Sequence, residues 1–240
     1  SIYNQVFDYI DKYIIKVNLG SLLLISYAIP QQIAAKLTII SNALIAVLLP
    51  KLSACVKKKE KLKIFSSNFY AFFYLIGLIL IFLMPFFDNL LIWWLKNNYN
   101  EEILILFKLF LVLTFLGCLS HIIISLYEAN LVEKTNTKLE SYSIVPFIIG
   151  LFICLYFKNI IFFALLLLIK EIILLLIRIF YMRDFILNYK ILIIQLSLFV
   201  LIFLLSVMNY NIPTFVTYSI FVILTIKNLP FRLIKNEFFN

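Results

Sequence analysis

The sequence is poor in charged residues, and this shortage decides the class of protein. Only 14% of its 240 residues are charged, whereas 64% are hydrophobic. A soluble domain usually carries about one quarter charged residues, so this chain has too little polar surface to cover a water-soluble globule. A lipid bilayer accommodates so much apolar surface. In its interior the backbone N–H and C=O groups find hydrogen-bond partners only in helices or closed barrels.

Glycine, histidine and cysteine are also scarce, with four, one and three residues. So few glycines leave no glycine-rich phosphate loop, and neither a nucleophile elbow nor an HExxH metal motif is present. Cys55, Cys118 and Cys154 lack the spacing of metal ligands, and two of them lie inside apolar runs. We therefore expect no enzymatic activity, no metal and no cofactor.

The chain is basic, with a formal net charge of +9. In a soluble protein this charge would suggest nucleic-acid binding. In a membrane protein it is expected, because Lys and Arg accumulate in the cytoplasmic loops. We expect no nucleic-acid partner.

Long runs of Leu, Ile and Phe favour helices over the alternating strands of a barrel. A spanning helix needs about 20 apolar residues, and on that length the sequence predicts an all-α, polytopic membrane protein with about eight transmembrane helices. The predicted segments are 2–18, 22–49, 64–87, 102–127, 141–157, 159–181, 190–208 and 213–228. The second segment is too long for a straight crossing, and Pro30 is a natural kink site.

The basic residues alternate between successive loops and so predict the orientation. Most of them, including the run Lys57-Lys58-Lys59, fall in one set of loops, whereas the opposite loops contain only Lys16, Lys96 and Lys158. This bias places the richer loops and the C-terminus in the cytoplasm. The lysine run could also bind the head groups of membrane lipids, but we interpret it as a topology signal.

Several charged residues fall at membrane depth, where each costs about 2.5–3.5 kcal/mol at a helix centre. They are Asp8, Asp11, Lys12, Lys36, Lys108, Lys170 and Glu171. In the first segment Asp8 and Lys12 lie four residues apart with the acid first, which favours an ion pair. The polar residues of the first segment indicate one of two things. The helix faces a water-filled cavity, or its end carries side chains that snorkel to the membrane surface.

The later charges leave further alternatives open. Lys36 could hold a phosphate in a cavity or neutralise an acid of the first helix. Lys170 and Glu171 have only apolar residues three and four positions away, so we expect neither to have a partner on its own helix. Glu171 is then a candidate for ion coupling or forms a structural bond between helices.

Two other polar positions in the fourth predicted helix have simpler interpretations. His121 lies on a stripe of small and polar residues with Cys118 and Ser125. Such stripes are typical of close helix packing, and we prefer packing to a proton relay. We expect Lys108 to snorkel toward the outer end of its helix.

Several stretches within residues 4–183 form a recognisable pattern: Asp11 to Ile15, Leu19-Gly20, Tyr27-Ala28, Leu48 to Ser53, Lys134 to Lys138, and Glu171 with Arg178 and Tyr181 to Arg183. Together they resemble the second lobe of the polysaccharide exporters, the O-antigen flippases of the multidrug/oligosaccharidyl-lipid/polysaccharide superfamily. In that family the stretch Lys134 to Lys138 corresponds to a polar cytoplasmic loop. The resemblance implies a C-terminal flippase lobe of six helices over 1–183, with two additional helices and a cytoplasmic tail over 184–240. It also implies that the chain begins partway through a longer protein.

This resemblance implies export of undecaprenyl-diphosphate-linked oligosaccharide across the bacterial inner membrane, for surface polysaccharide and O-antigen biosynthesis, by cation-coupled alternating access. The expected partners are the lipid-linked oligosaccharide, membrane lipids and the polysaccharide polymerase machinery. The candidate cavity residues are Asp8, Asp11, Lys12 and Lys36. Glu171 is the candidate for ion coupling, beside the intramembrane charge of Lys170.

Three other functions remain open. A cation-coupled drug exporter belongs to the same superfamily. An O-antigen polymerase, which transfers glycosyl groups, would need a large outer loop with catalytic Arg residues, whereas the longest predicted outer loop, Lys96 to Glu101, is short and has none. A structural subunit without transport activity is the third.

Overall fold

The computed structural model describes residues 12–18, 20–83, 86–96, 99–186 and 188–207. These residues are almost entirely helical and contain no strand. The helices are α1 (12–18), α2 (Ser21–Ala34), α3 (Thr38–Ala54), α4 (Lys58–Leu83), α5 (Phe87–Leu95), α6 (Glu101–Ala129), α7 (Glu133–Phe157), α8 (Ile160–Tyr181) and α9 (Tyr189–Val207). Two short 3-10 helices, Ala35–Leu37 and Arg183–Phe185, connect α2 to α3 and follow α8.

Within the described part of the chain, five helical segments are long and apolar enough to cross a membrane. They are Leu23–Ala54, Lys58–Leu83, Glu101–Ala129, Lys134–Phe157 and Ile160–Tyr181, and Tyr189–Leu204 is a shorter apolar helix. The chain is therefore an all-α, polytopic membrane protein, which confirms the predicted fold class. Of the first predicted segment only 12–18 are described, and the eighth, 213–228, lies outside the described residues.

Three helix boundaries differ from the prediction. Pro30 lies inside α2, and the irregular stretch is the 3-10 helix Ala35–Leu37 about one turn later. The third predicted segment, 64–87, corresponds to α4, which begins earlier and ends at Leu83, and the short helix α5 that follows from Phe87 was not predicted. Helix α7 begins at Glu133, so the stretch from Lys134 to Lys138, which was predicted to be a loop, is helical. Hydropathy misses this start because the first turns of α7 are polar.

Helix α6 is the centre of the bundle. It packs against α2, α3 and α8, and it also contacts α4, α5, α7 and α9. Most of its side chains are buried, among them Phe115, Leu119 and Ile122. A helix that is apolar all round is typical of such a buried position.

Helix α9 joins the same core through aromatic side chains. The Phe199 ring lies 4.7 Å from that of Phe115 in α6, between ring centroids. The Tyr74 hydroxyl of α4 donates a buried hydrogen bond of 2.9 Å to Gln195 Oε1 of α9. Residues 189–207 are therefore packed with α4 and α6.

Polar contacts tie the chain together at one end of the bundle, formed by residues 55–57, 130–132 and 182–186, which we call the basic end. Lys61 Nζ donates to the Ala129 carbonyl and to Asn130 Oδ1, both at 3.1 Å. Lys58 Nζ lies 3.1 Å from Asp184 Oδ2. Lys61 thus satisfies a carbonyl at the C-terminus of α6, where a positive charge is favoured.

Close packing of α7 on α8 gives a first prediction. A Cβ atom added at Gly150 would lie 2.7 Å from Leu166 Cδ2 and 3.1 Å from Leu166 Cγ. We expect Gly150→Ala to destabilise the protein by about 1–3 kcal/mol, as overpacking does, measured by thermal unfolding in detergent. Gly117→Ala is the matched control, since nothing lies within 4 Å of a Cβ atom there. An unchanged melting temperature for Gly150→Ala would contradict this packing.

Candidate functional site

A polar groove runs between α3 and α7, with α6 as its floor. Asn42 comes from α3, His121 and Glu128 from α6, and Asn136 and Glu140 from α7, around a volume of about 390 Å³. Amide, imidazole and carboxylate groups are costly against lipid. Their presence on one surface of an apolar bundle indicates that this surface faces water or a polar partner.

A smaller cavity of about 130 Å³ adjoins this groove, between α6, α7 and α8. His121, Thr137 and Glu140 line both spaces, and Lys170, Glu171 and Arg178 are added from α8. Since a helix rises 1.5 Å per residue, Glu171 lies about 15 Å along α8 from its end at Tyr181. Groups able to carry charge therefore extend from the basic end toward the middle of the bundle.

Arg178 is the centre of this site. Its side chain is only 4% exposed, and its Nη2 donates to Glu140 Oε1 at 3.0 Å. Its Nε donates to Asn136 Oδ1, also at 3.0 Å, and its Nη1 lies 3.7 Å from Glu171 Oε1. Ser120 Oγ in turn donates to Glu171 Oε1 at 2.5 Å. These five residues, which we call the Arg178 cluster, join α6, α7 and α8.

The two carboxylates of the cluster have different surroundings. Glu140 accepts hydrogen bonds from both Arg178 and Asn136, the latter at 3.1 Å. Among the residues that the structure describes, Glu171 has only the longer contact with Arg178 and the hydroxyl of Ser120, and it borders the cavity. Two carboxylates share one guanidinium, so Glu140 is held by two donors while Glu171 borders the cavity with the weaker contact to Arg178.

The structure brings only part of the predicted site together. Asp8 and Asp11 lie outside the described residues. Lys12 is half-buried in α1, and Lys36 is exposed in the 3-10 helix Ala35–Leu37. Neither is among the residues that line the groove or its adjoining cavity. The roles proposed for these four residues stay predictions.

The predicted charges of α8 are placed as follows. Glu171 bonds to Ser120 of another helix, but the expectation that it lacks a partner on its own helix is wrong, because Arg178 lies two turns further along the same face. The Lys170 ammonium lies 5.0 Å from the centre of the Phe147 ring of α7, a favourable cation–π distance.

The sequence interpretation missed Arg178, Asn136 and Glu140. Arg178 was counted among the basic residues that predict the orientation, yet it lies in the last turn of α8 and is buried. Asn136 and Glu140 precede the predicted start of their helix. The spacing of seven residues between Glu171 and Arg178 was the available signal, since it places both side chains on one face.

Two interpretations of single residues are wrong. His121 has an exposed side chain that lines both the groove and the cavity, so it is not a packing residue. Lys108 does not snorkel, because its side chain is 5% exposed and its Nζ lies 3.4 Å from Asp88 Oδ1 of α5. Helix α5 was not predicted as a separate element, so this partner was not foreseen.

No protein-family model, curated protein or solved structure matches the chain. The resemblance to polysaccharide exporters therefore rests on the stretches of sequence that carry it. Whether the chain has such a function is judged from the chemistry of the site.

Proposed function

We propose that the chain is the C-terminal lobe of an exporter that flips lipid-linked oligosaccharides across the bacterial inner membrane by alternating access. One observation carries this proposal: a polar groove with a buried charged cluster lies on one surface of an apolar bundle. A lipid-linked oligosaccharide has a polar head that needs such a surface while its lipid tail stays in the bilayer. Polar and ionisable groups within a membrane usually mark a path for substrates or ions.

The cluster also suggests how the groove would change shape. Helix α7 forms one wall of the groove, and the contacts of Arg178 with Asn136 and Glu140 hold the basic end of α7 against α8. Protonation or cation binding at Glu171 would change the charge beside Arg178 and so bias the position of α7. Alternating access needs two such arrangements whose populations a bound ion can shift.

Complementation tests this function. The gene is deleted in the organism that carries it and restored from a plasmid, and both surface polysaccharide and the pool of lipid-linked oligosaccharide are measured. We expect the deletion to abolish surface polysaccharide, the lipid-linked pool to accumulate, and the wild-type gene to reverse both effects.

Within this assay Glu171→Gln is the informative variant. Gln preserves the shape of Glu171 and an acceptor for Ser120 but cannot take up a proton or carry the charge. We expect this variant to lose most of the surface polysaccharide while the amount of protein in the membrane stays normal. Glu60→Gln is the matched control, because the ion pair of Glu60 with Lys57 is exposed, and such pairs contribute little.

The other functions give different results. A polymerase defect would leave single repeat units on the cell surface, and a drug exporter would change drug sensitivity without a glycan phenotype. Normal surface polysaccharide in the deletion strain would overturn the flippase proposal. Full activity of Glu171→Gln would instead remove only the role of Glu171.

A further inference from the structure

The first two turns of α7 have two faces with different chemistry. Asn136 and Glu140 lie on one face and bond to Arg178. Lys134 and Lys138 lie on the opposite face, since helical residues are spaced by about 100°. With Thr137, Ser141 and Tyr142 they line an open recess of about 470 Å³, which we call the α7 recess.

The two lysines of the α7 recess are available to a ligand. Both side chains are exposed, and neither forms a salt bridge with any residue that the structure describes. Of the two acids in α7, Glu133 is next to Lys134 in the sequence, and Glu140 is on the other face and bonds to Arg178. The recess therefore presents two positive charges and three hydroxyl-bearing side chains, a set that complements an anion rather than a cation.

The spacing of these groups fits a phosphate. Residues four apart on a helix have Cβ atoms about 5–6 Å apart, so two lysine ammonium groups can converge on the oxygens of one phosphate or of a diphosphate. Lys binds phosphate as a point charge, and charge-assisted hydrogen bonds are stronger than neutral ones. The Tyr142 hydroxyl can donate to one of the remaining oxygens, whereas Ser141 Oγ already donates to the Thr137 carbonyl at 2.9 Å.

The α7 recess lies beside the groove and its cavity. It is at the basic end of the bundle, within the first turns of a helix that is long enough to span the membrane. Thr137 and Ser141 also line the cavity that contains Glu171 and Arg178. A phosphate held here would be at the level of lipid head groups and next to the polar path.

We propose that the α7 recess binds the phosphate or diphosphate group of a membrane lipid. This inference deepens the proposed function and rests on it only for the identity of that lipid. The diphosphate of a lipid-linked oligosaccharide and the phosphate of an ordinary phospholipid share the chemistry that Lys134 and Lys138 recognise.

Native mass spectrometry of the full chain in detergent tests this proposal, because each bound lipid is resolved by its mass. Three probes are titrated separately: undecaprenyl diphosphate, phosphatidylglycerol and inorganic diphosphate. The test variant is Lys134→Gln with Lys138→Gln. The control is Lys57→Gln with Lys59→Gln, which removes the same charge from exposed positions near the basic end.

We expect the test variant to bind the phosphate-bearing lipids about tenfold more weakly or worse, since charge-assisted bonds are lost. The control should bind as the wild type does, and inorganic diphosphate should displace the lipid. Preference for undecaprenyl diphosphate over phosphatidylglycerol would identify a site for the transported lipid, and equal binding would identify a general phospholipid site.

Equal binding by the wild type and the test variant would overturn the proposal, and so would equal weakening in the control. Lys134 and Lys138 would then act only as topology signals. The variants are expected to fold, because Lys134 and Lys138 are exposed and form no salt bridge with a described residue, and unchanged thermal unfolding checks this. Lipid binding without a glycan phenotype would preserve this inference while overturning the proposed function.

Discussion

Arg178→Met is expected to lower the free energy of unfolding by about 3–5 kcal/mol, the usual effect of removing one partner from a buried ion pair. The Met side chain has a similar length but donates no hydrogen bond. Glu140 and Glu171 would lose their shared cation, and Asn136 would lose its donor from α8. Chemical or thermal unfolding of the purified protein in detergent measures the loss.

Arg183→Met is the matched control for this prediction. Arg183 is five residues further along, exposed, and stacked at 5.0 Å on the ring of Phe180. Its loss should change stability by less than about 1 kcal/mol, as is usual for exposed side chains. Equal stability of the two variants would contradict the role of Arg178 as a buried clamp between α7 and α8.

Further variants separate charge from hydrogen-bond geometry. Arg178→Lys keeps the positive charge but cannot reach Asn136, Glu140 and Glu171 at once, so we expect it to recover only part of the lost stability. Combining Arg178→Met with Glu140→Gln and Glu171→Gln removes the unpaired carboxylates. If their burial is the main cost, the triple variant will be more stable than Arg178→Met alone.

The sequence predicts the apolar helices of this fold well. Helix α6 spans Glu101–Ala129 where 102–127 was predicted, and α8 spans Ile160–Tyr181 where 159–181 was predicted. Both are bounded by polar residues, and Asn100 and Asn159 accept hydrogen bonds from the first backbone N–H groups. In such segments hydropathy and helix capping agree, so the limits are easily recognised.

The sequence fails where polar side chains are satisfied by another helix. The first two turns of α7 are polar, yet they are helical and bonded to Arg178. A hydropathy threshold cannot distinguish these turns from a loop, because the stabilising partner lies about 40 residues further along the chain. Two of the five residues of the Arg178 cluster, Asn136 and Glu140, were missed for this reason.

In the candidate site, too, the sequence reveals a charge inside an apolar run but not one whose partner is on another helix. Glu171 was recognised because a carboxylate in the middle of an apolar run is conspicuous. Arg178 is near the end of the same run, where a basic residue is ordinarily a topology signal. Only the packing of α7 on α8 distinguishes a buried, bonded arginine from an exposed one.

Phe199→Ala is expected to destabilise the protein by about 3 kcal/mol, the lower end of the range for buried Phe→Ala changes. The Phe199 side chain is 0% exposed, and its ring contacts those of Phe115 and Phe73, with centroids 4.7 Å and 6.4 Å away. We choose the lower end because lipid tails are as apolar as the core, so the loss is one of packing contacts. Thermal unfolding in detergent is the measurement.

Leu201→Ala is the control on the same helix, since Leu201 is 46% exposed and outside the aromatic contacts of Phe199. We expect it to change stability much less, and equal effects of the two substitutions would mean that α9 is not anchored through Phe199. This comparison also bears on the predicted boundary at residue 183. If Phe199→Ala destabilises the whole bundle in one transition, α9 completes the core of α4 and α6 and does not form a separate addition to a six-helix lobe. Two separate transitions would instead support an independent unit that begins after α8.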